Sequence, residues 1–128
     1  MIRKANLSEV GIIFGLVKIG SEKGKVLIRT TEDISHNIKS FFVWQEKGNI
    51  AGCCSLEVYS QKLAEIRSLV VLPQYQNQGI GGKLIGRCLN EAKKLGIYQI
   101  LAVTDRYKLF KMAGFKAKFE KKTPMFIN

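Results

Sequence analysis

The sequence predicts a mixed α/β fold, built on one sheet that contains both antiparallel and parallel strands. The first observation is a continuous apolar run at 66–71, which is typical of a buried strand. A glycine-rich turn follows this run, and a helical pattern from Leu84 to Leu95 follows the turn. The second observation is a further apolar segment, Gln99 to Thr104, which the helical crossover would place parallel to the first strand.

An antiparallel meander is predicted upstream of this unit. Three strand-like segments, Phe41 to Gln45, Ile50 to Tyr59 and Leu63 to Val71, are separated by short polar turns. Because turns of this length join antiparallel neighbours, the three segments should lie side by side in the sheet.

The ends of the chain complete the predicted sheet. A short strand at Ile2 to Ala5 precedes two helices, one beginning near Asn6 and one beginning at Thr30. A last helix begins after Asp105, and two final strands follow, the second at Lys122 to Ile127. Residues 1–128 are therefore expected to form one domain, with six to seven strands in one mixed sheet and about four helices.

Composition excludes several classes of protein. The chain has 128 residues, of which 46% are hydrophobic, and its apolar runs are far shorter than a membrane span. The N-terminus superficially resembles a signal peptide, but its helical spacing and Glu9 favour a folded segment. Cys53, Cys54 and Cys88 lack the spacing of a disulfide framework or a zinc site. We expect a cytoplasmic protein without a bound metal.

The chain is strongly basic, with 21 Lys and Arg against 10 Asp and Glu and a net charge of +11. Such a charge suits a nucleic-acid surface or a cofactor that carries several phosphates. The basic residues are scattered and are not interleaved with an aromatic platform. Nucleic acid is therefore not expected as the primary partner, and neither is a membrane.

The turn QNQGIGG, Gln76 to Gly82, is the clearest candidate for ligand binding. Glycines that lead into a helix leave several amide N–H groups unpaired, and such a turn suits a phosphate. A Walker A loop is excluded, because Asn77 and Leu84 stand where it needs glycine and Ser or Thr. A dinucleotide fingerprint also fails, since it would need glycine at position 84.

The remaining pattern, Q-x-x-G-x-G from Gln76 to Gly81, resembles motif A of the GNAT superfamily of N-acetyltransferases. The order of the predicted strands and helices is similar to the topology of that superfamily. Within it, the chain resembles most the acetyltransferase domain of N-acetylglutamate synthases. That second likeness is carried by IRKA, TTEDISHNIKSFFVWQEKGNIAGCCSLEVY, AEIRSLVVLPQYQNQGIG and LFKMAGF.

The resemblance implies transfer of an acetyl group from acetyl-CoA to a primary amine of an amino acid or another small molecule. Direct attack within a ternary complex is implied, since no cysteine–histidine pair supports a covalent route. A protein or peptide acetyltransferase, or a non-catalytic acetyl-CoA-binding module, remains open, and so does a homodimer. The implied cofactor-binding residues are Leu69, Val70, Val71, Gln76, Asn77, Gln78, Gly79, Ile80, Gly81 and Gly82.

Two charged residues precede the cofactor segment. Glu65 lies 11 residues before Gln76, the spacing of the catalytic glutamate in histone-acetylating relatives, and is the candidate general base. Its alternative is a surface ion pair with Arg67 or a lysine. Arg67 shares a strand face with Glu65, so it could bind a substrate carboxylate or pair with Glu65.

The leaving thiolate has no assigned general acid. Many relatives place a tyrosine four residues before the glycine of a Gly-Phe pair, but Phe110 stands there, before Gly114 and Phe115. Phenylalanine also occupies this place in the glutamate-synthase-like branch. Tyr107, one turn earlier on the same helix face, and water are the remaining sources of a proton.

Overall fold

The computed structural model describes residues 1–116 and 127. One sheet of five strands runs through this part of the chain, in the spatial order of the sequence. The first four strands pair antiparallel, and the last pair is parallel. The strands are β1 (Ile2–Lys4), β2 (Phe41–Glu46), β3 (Asn49–Val58), β4 (Leu63–Val71) and β5 (Gln99–Leu101).

Four α-helices pack on the sheet: α1 (Val10–Glu22), α2 (Thr31–His36), α3 (Ile80–Lys94) and α4 (Tyr107–Met112). Alternation along the strands produces two cores. Phe41 and Val43 of β2 pack with Ile13 of α1, whereas Phe42 packs on the other face with Leu84 and Ile85 of α3. The sheet is therefore a middle layer between α1–α2 and α3–α4.

Local capping explains where the first helices begin. The Glu9 carboxylate accepts a hydrogen bond from the Asn6 N–H at 2.9 Å and so holds the turn that leads into α1. Thr30 Oγ1 accepts from the Asp33 N–H at 3.0 Å at the start of α2. Both helix starts agree with the sequence prediction.

The parallel pair is shorter than predicted. Strand β5 ends at Leu101, whereas the apolar pattern extends to Thr104. The reason is geometric, because β4 and β5 pair only from Leu63–Gln99 to Glu65–Leu101 and the chain then leaves the sheet. Of the two predicted final strands, most residues, including the segment from Lys122, lie outside the described residues, and Phe115 is not part of a strand.

None of the described helices has the length and apolar character needed to cross a membrane.

Candidate active site

Strand β4 carries a one-residue bulge in its middle. Val70 pairs with Cys53, but Arg67 pairs with Ser55, so two residues of β4 stand opposite one residue of β3. The extra residue is Ser68, whose φ of 55° lies in the left-handed region that side chains rarely adopt. The bulge changes which residues face each helix layer on the two sides of Ser68.

Beyond the bulge, β4 and β5 separate. The parallel pairing ends at Glu65 and Leu101, while β4 continues to Val71. Leu72 N–H donates to the Ala51 carbonyl of β3, so by alternation the Leu69 and Val71 peptide groups point to the other side, toward the gap. Among the described residues, the edge of β4 that faces this gap has no strand partner, so its backbone groups are open to a ligand.

Two side chains bind the carbonyls on that edge. Gln76 Nε2 donates to the Val71 carbonyl at 3.0 Å, and Nη2 of Arg106 donates to the Leu69 carbonyl. Leu69 and Val70 are themselves buried, in opposite cores, so only their backbone groups can face a ligand. The predicted cofactor segment is therefore a backbone surface.

The glycine turn lies at the end of this gap. Gly79 adopts φ 80° immediately before α3, a left-handed conformation that suits glycine. Across the helix start, the first hydrogen bond runs from Lys83 N–H to the Gly79 carbonyl at 3.1 Å. The N–H groups of residues 80–82 thus precede the helical ladder and can bind an anion.

The other predicted turn residues have distinct surroundings. Gln76, Asn77 and Gln78 are exposed, whereas the Ile80 side chain is buried in the core between the sheet and α3 (the α3 core). A Cβ at Gly81 would lie 3.4 Å from Leu109, whereas one at Gly82 would meet open space. Ile80 can therefore contribute only its backbone, and a side chain would fit at Gly82 more easily than at Gly81.

Glu65 is the last residue of β4 that pairs with β5, so it marks the fork between the two strands. Its carboxylate accepts a hydrogen bond from the Tyr59 hydroxyl. Burial, and then this hydrogen bond, raise the pKa of Tyr59 to about 12. Within residues 1–116 no ion pair involves Glu65, so the surface ion pair considered from the sequence is not seen there.

Arg67 points to the same face as Glu65 but pairs with a different carboxylate. Its Nη1 lies 3.9 Å from Glu57 Oε1, and its side chain is 30% exposed. Glu57 stands directly opposite Glu65 in the sheet. The two carboxylates therefore differ in their partners, because Glu57 has guanidinium neighbours and Glu65 has a neutral phenol.

A buried arginine cluster beneath the bulge was not foreseen from the sequence. Arg29 binds Asp33 through Nε at 2.7 Å and Glu57 through Nη2 at 3.0 Å. Its Nη1 donates to the hydroxyls of Ser68 at 3.2 Å and Ser55 at 3.4 Å. This network holds the bulge from the α1–α2 side.

Ion pairing dominates the electrostatics of this cluster. Burial lowers the pKa of Arg29, but Asp33 and Glu57 outweigh that effect and raise the pKa above its ordinary value. The hydrogen bond from Arg29 in turn lowers the pKa of Asp33. Two signals were available in the sequence, namely the i,i+4 spacing of Arg29 and Asp33 and the isolated charge of Glu57 in an apolar strand.

Other reactive side chains are remote or inert. Burial raises the pKa of the Cys53 thiol to about 12, which suits packing and not nucleophilic chemistry. Cys54 and Cys88 meet in the α3 core with their sulfurs 3.7 Å apart. Phe110 is buried against Phe115.

Two further titratable side chains are exposed. Tyr107 is 52% exposed at the start of α4, and His36 is exposed on α2. Within the described part of the chain, no cluster of three or more His, Cys, Asp or Glu side chains could hold a metal ion.

Comparisons with known proteins agree with this geometry. The model of the acetyltransferase (GNAT) family matches residues 18–115. An uncharacterized N-acetyltransferase of Chlorobaculum tepidum is 35% identical over 115 residues, which is 90% of this chain and 74% of that protein. An amino-acid acetyltransferase of Neisseria meningitidis is 30% identical over 125 residues, 96% of this chain but 29% of the relative.

A solved structure extends the likeness to three dimensions. N-acetylglutamate synthase from Neisseria gonorrhoeae, complexed with coenzyme A and N-acetyl-glutamate, superposes with a TM-score of 0.88 and 28% identity. The match covers 97% of this chain and 30% of the synthase. The present chain thus spans less than a third of the longer relatives. Because the family model matches most of the chain and the separated β4 and β5 meet a glycine turn, the chain belongs to the acetyltransferase (GNAT) family.

Proposed function

We propose that this protein transfers an acetyl group from acetyl-CoA to the primary amine of an amino acid or another small molecule. The observation that carries the proposal is the gap between β4 and β5, which runs from Glu65 to the glycine turn. One gap then offers a candidate base at one end and unpaired amide groups at the other. The named relatives support the reaction class, and the amino-acid acetyltransferases among them support the acceptor class.

The residues of the gap fit acetyl-CoA. The N–H groups of residues 80–82 would bind the pyrophosphate, since Gly79 and Gly82 leave the turn open. The peptide groups of Leu69 and Val71 would pair with the amides of the pantetheine arm as an added strand does. Acetyl-CoA supplies the thioester, and the chain supplies orientation.

Glu65 would accept the proton of the acceptor amine. An ammonium group with a pKa of about 10 must lose a proton before its nitrogen can attack. The carboxylate at the fork of β4 and β5 has a hydrogen bond from Tyr59 and is partly exposed, so water or the amine can reach it. The new C–N bond forms as the C–S bond breaks, coenzyme A leaves as its thiolate, and Glu65 or a water bound to it holds the amine proton.

A backbone N–H of β4 would stabilise the negative charge that develops on the acetyl oxygen. The N–H groups of Leu69 and Val71 point into the gap together with their carbonyls. The Ser68 bulge fixes their direction, and a donor that is already oriented needs no rearrangement during the reaction.

Arg67 would bind the carboxylate of an amino-acid acceptor. Its guanidinium is 30% exposed, and its nearest carboxylate oxygen, on Glu57, is 3.9 Å away. It therefore retains donors for a second carboxylate, whereas Arg29 is already bound on several sides.

The test is release of coenzyme A, followed with a thiol reagent, from acetyl-CoA and a panel of free amino acids, polyamines and peptides. We expect turnover with one or more free amino acids and a higher KM for them in Arg67→Ala. Turnover with peptides alone would contradict the acceptor class. Tight binding of acetyl-CoA without turnover on any acceptor would contradict catalysis.

A further inference from the structure

One side chain in the gap, that of Arg106, takes no part in the pairing of the strands or in the proposed transfer of the acetyl group. Arg106 lies in the connection between β5 and α4, and it reaches back 37 positions to donate to the Leu69 carbonyl. That carbonyl belongs to the edge of β4 that faces the gap. The Arg106 side chain therefore lies between the two separated strands.

The guanidinium is poorly satisfied in this position. Its Nε is buried and has no hydrogen-bond partner among residues 1–116 and 127. The neighbouring Asp105 carboxylate lies instead 3.4 Å from Lys25 Nζ. Burial lowers the pKa of Arg106, whereas the pKa of Arg29 is raised by its carboxylates.

Arg29 and Arg106 differ in how many partners their guanidinium groups have. Arg29 forms ion pairs with Asp33 and Glu57 and hydrogen bonds with two serines, as expected of a permanent part of the core. In the described part of the chain, the Arg106 side chain donates to one carbonyl, that of Leu69, and forms no ion pair with a carboxylate. A half-buried guanidinium with so few partners is held weakly and can be displaced.

We propose that Arg106 is a displaceable occupant of the cofactor gap, which releases the Leu69 carbonyl when the pantetheine arm of acetyl-CoA binds. The inference rests on the proposed function, since it assumes that acetyl-CoA pairs with β4. A ligand that lies along β4 as an added strand needs the same plane and the same carbonyl as the guanidinium. The two cannot occupy that position together.

The contact between Arg106 and Leu69 should lower the affinity for acetyl-CoA. Part of the binding free energy of acetyl-CoA is spent on breaking the contact between Arg106 and Leu69, so the observed affinity is lower than that of a gap already open. Arg106 would thus set the affinity for the pantetheine arm, and it would leave the affinity of the nucleotide half unchanged.

The experiment measures two dissociation constants by calorimetry, one for acetyl-CoA and one for 3′-phospho-ADP, the nucleotide half of coenzyme A. The dissociation constant of 3′-phospho-ADP divided by that of acetyl-CoA isolates the contribution of the pantetheine arm and cancels the general attraction of a basic protein for phosphates. Arg106→Ala should increase this ratio in favour of acetyl-CoA by about fivefold. Lys108→Ala removes one charge from an exposed position nearby and should leave the ratio unchanged.

Arg106→Lys provides a second variant if Arg106→Ala does not fold. It keeps the charge and the aliphatic stem but loses the guanidinium fork, so the ratio should rise in the same direction. An unchanged or lower ratio in a folded variant would overturn the inference and make Arg106 a structural or cofactor-binding residue. Wild-type protein that does not bind acetyl-CoA would overturn the proposed function as well, so the two failures are distinguishable.

Discussion

At the scale of single residues, the backbone conformation at position 79 favours glycine over any residue with a side chain. Its φ of 80° is one that a β-branched residue adopts only under strain. Gly79→Val should therefore lower the free energy of unfolding by about 1–2 kcal/mol. It should also weaken acetyl-CoA binding at least about tenfold, because the N–H groups of the turn would be redirected.

Gly86→Ala is the matched control. Gly86 lies within α3, and a Cβ there meets no atom within 4 Å. Alanine should increase stability by about 0.5–1 kcal/mol and leave the affinity unchanged. Urea unfolding and calorimetry measure the two quantities, and a Gly79→Val variant with wild-type affinity would contradict the phosphate-binding role of the turn.

Glu65 is tested by a change that keeps its shape. Glu65→Gln should reduce kcat by about 10²-fold, because the amide cannot accept the amine proton. The affinity for acetyl-CoA should stay nearly constant, since Glu65 lies at the far end of the gap from the turn. Steady-state turnover between pH 6 and 9 measures the loss.

Tyr59→Phe accompanies this variant. It removes the hydrogen bond to Glu65 and keeps the carboxylate, so kcat should fall by less than about tenfold. Wild-type turnover in Glu65→Gln would assign the carboxylate a structural role.

At the scale of elements, an ion pair connects β1 to the turn before α1. Arg3 binds both oxygens of Glu9, at 2.9 and 2.6 Å, and this hydrogen bonding lowers the pKa of the Glu9 carboxyl. A carboxyl with a lowered pKa in the folded state stabilises the protein above its ordinary pKa. That stabilisation is lost as the pH falls through the folded-state pKa.

Glu9→Gln should therefore reduce the free energy of unfolding at pH 7 by roughly 1–3 kcal/mol, because charged hydrogen bonds are lost. The difference from wild type should shrink as the pH falls below about 4. Urea unfolding at pH 7 and at pH 3 measures both values. Glu22→Gln, at an exposed end of α1, should change little, and an equal loss in both variants would show that only net charge matters.

The bulge in β4 determines what the gap presents. Ala64 and Ile66 pack with α3, so Glu65 and Arg67 face the α1–α2 side; after Ser68, Leu69 packs with α3 and Val70 with α1. Without the extra residue, period-two alternation would bring Val70 to the face of Ile66. The bulge thus keeps both cores filled and directs the β4 peptide groups into the gap.

At the scale of the whole molecule, the net charge of +11 should attract an anionic cofactor. Raising the salt concentration from about 0.05 M to about 0.5 M should weaken acetyl-CoA binding by about tenfold, because the attraction is screened. The uncharged fragment acetyl-pantetheine should bind with little change over the same range. Equal salt dependence for both ligands would contradict electrostatic attraction of the phosphates.

The sequence by itself determined the elements and the turn. Strands β2, β3 and β4 were predicted to within about one residue at each end, since apolar alternation and turn residues act over a few positions. The glycine turn was equally readable, because the left-handed φ of 80° at Gly79 is a local conformation that favours glycine. Glu65 was proposed as the base from its spacing to Gln76, and that role stays a prediction; the structure adds that Glu65 stands at the fork of two strands.

Only the tertiary structure decided the partners of the charged residues. The sequence left open whether Arg67 binds a substrate carboxylate or pairs with Glu65, and the structure adds a carboxylate that was not considered, Glu57 on the adjacent strand, 3.9 Å away. Arg29 reaches Ser68 across 39 positions, and Arg106 reaches Leu69 across 37. Such contacts depend on strand register, on a bulge of one residue and on how the layers pack, none of which is fixed by a local pattern.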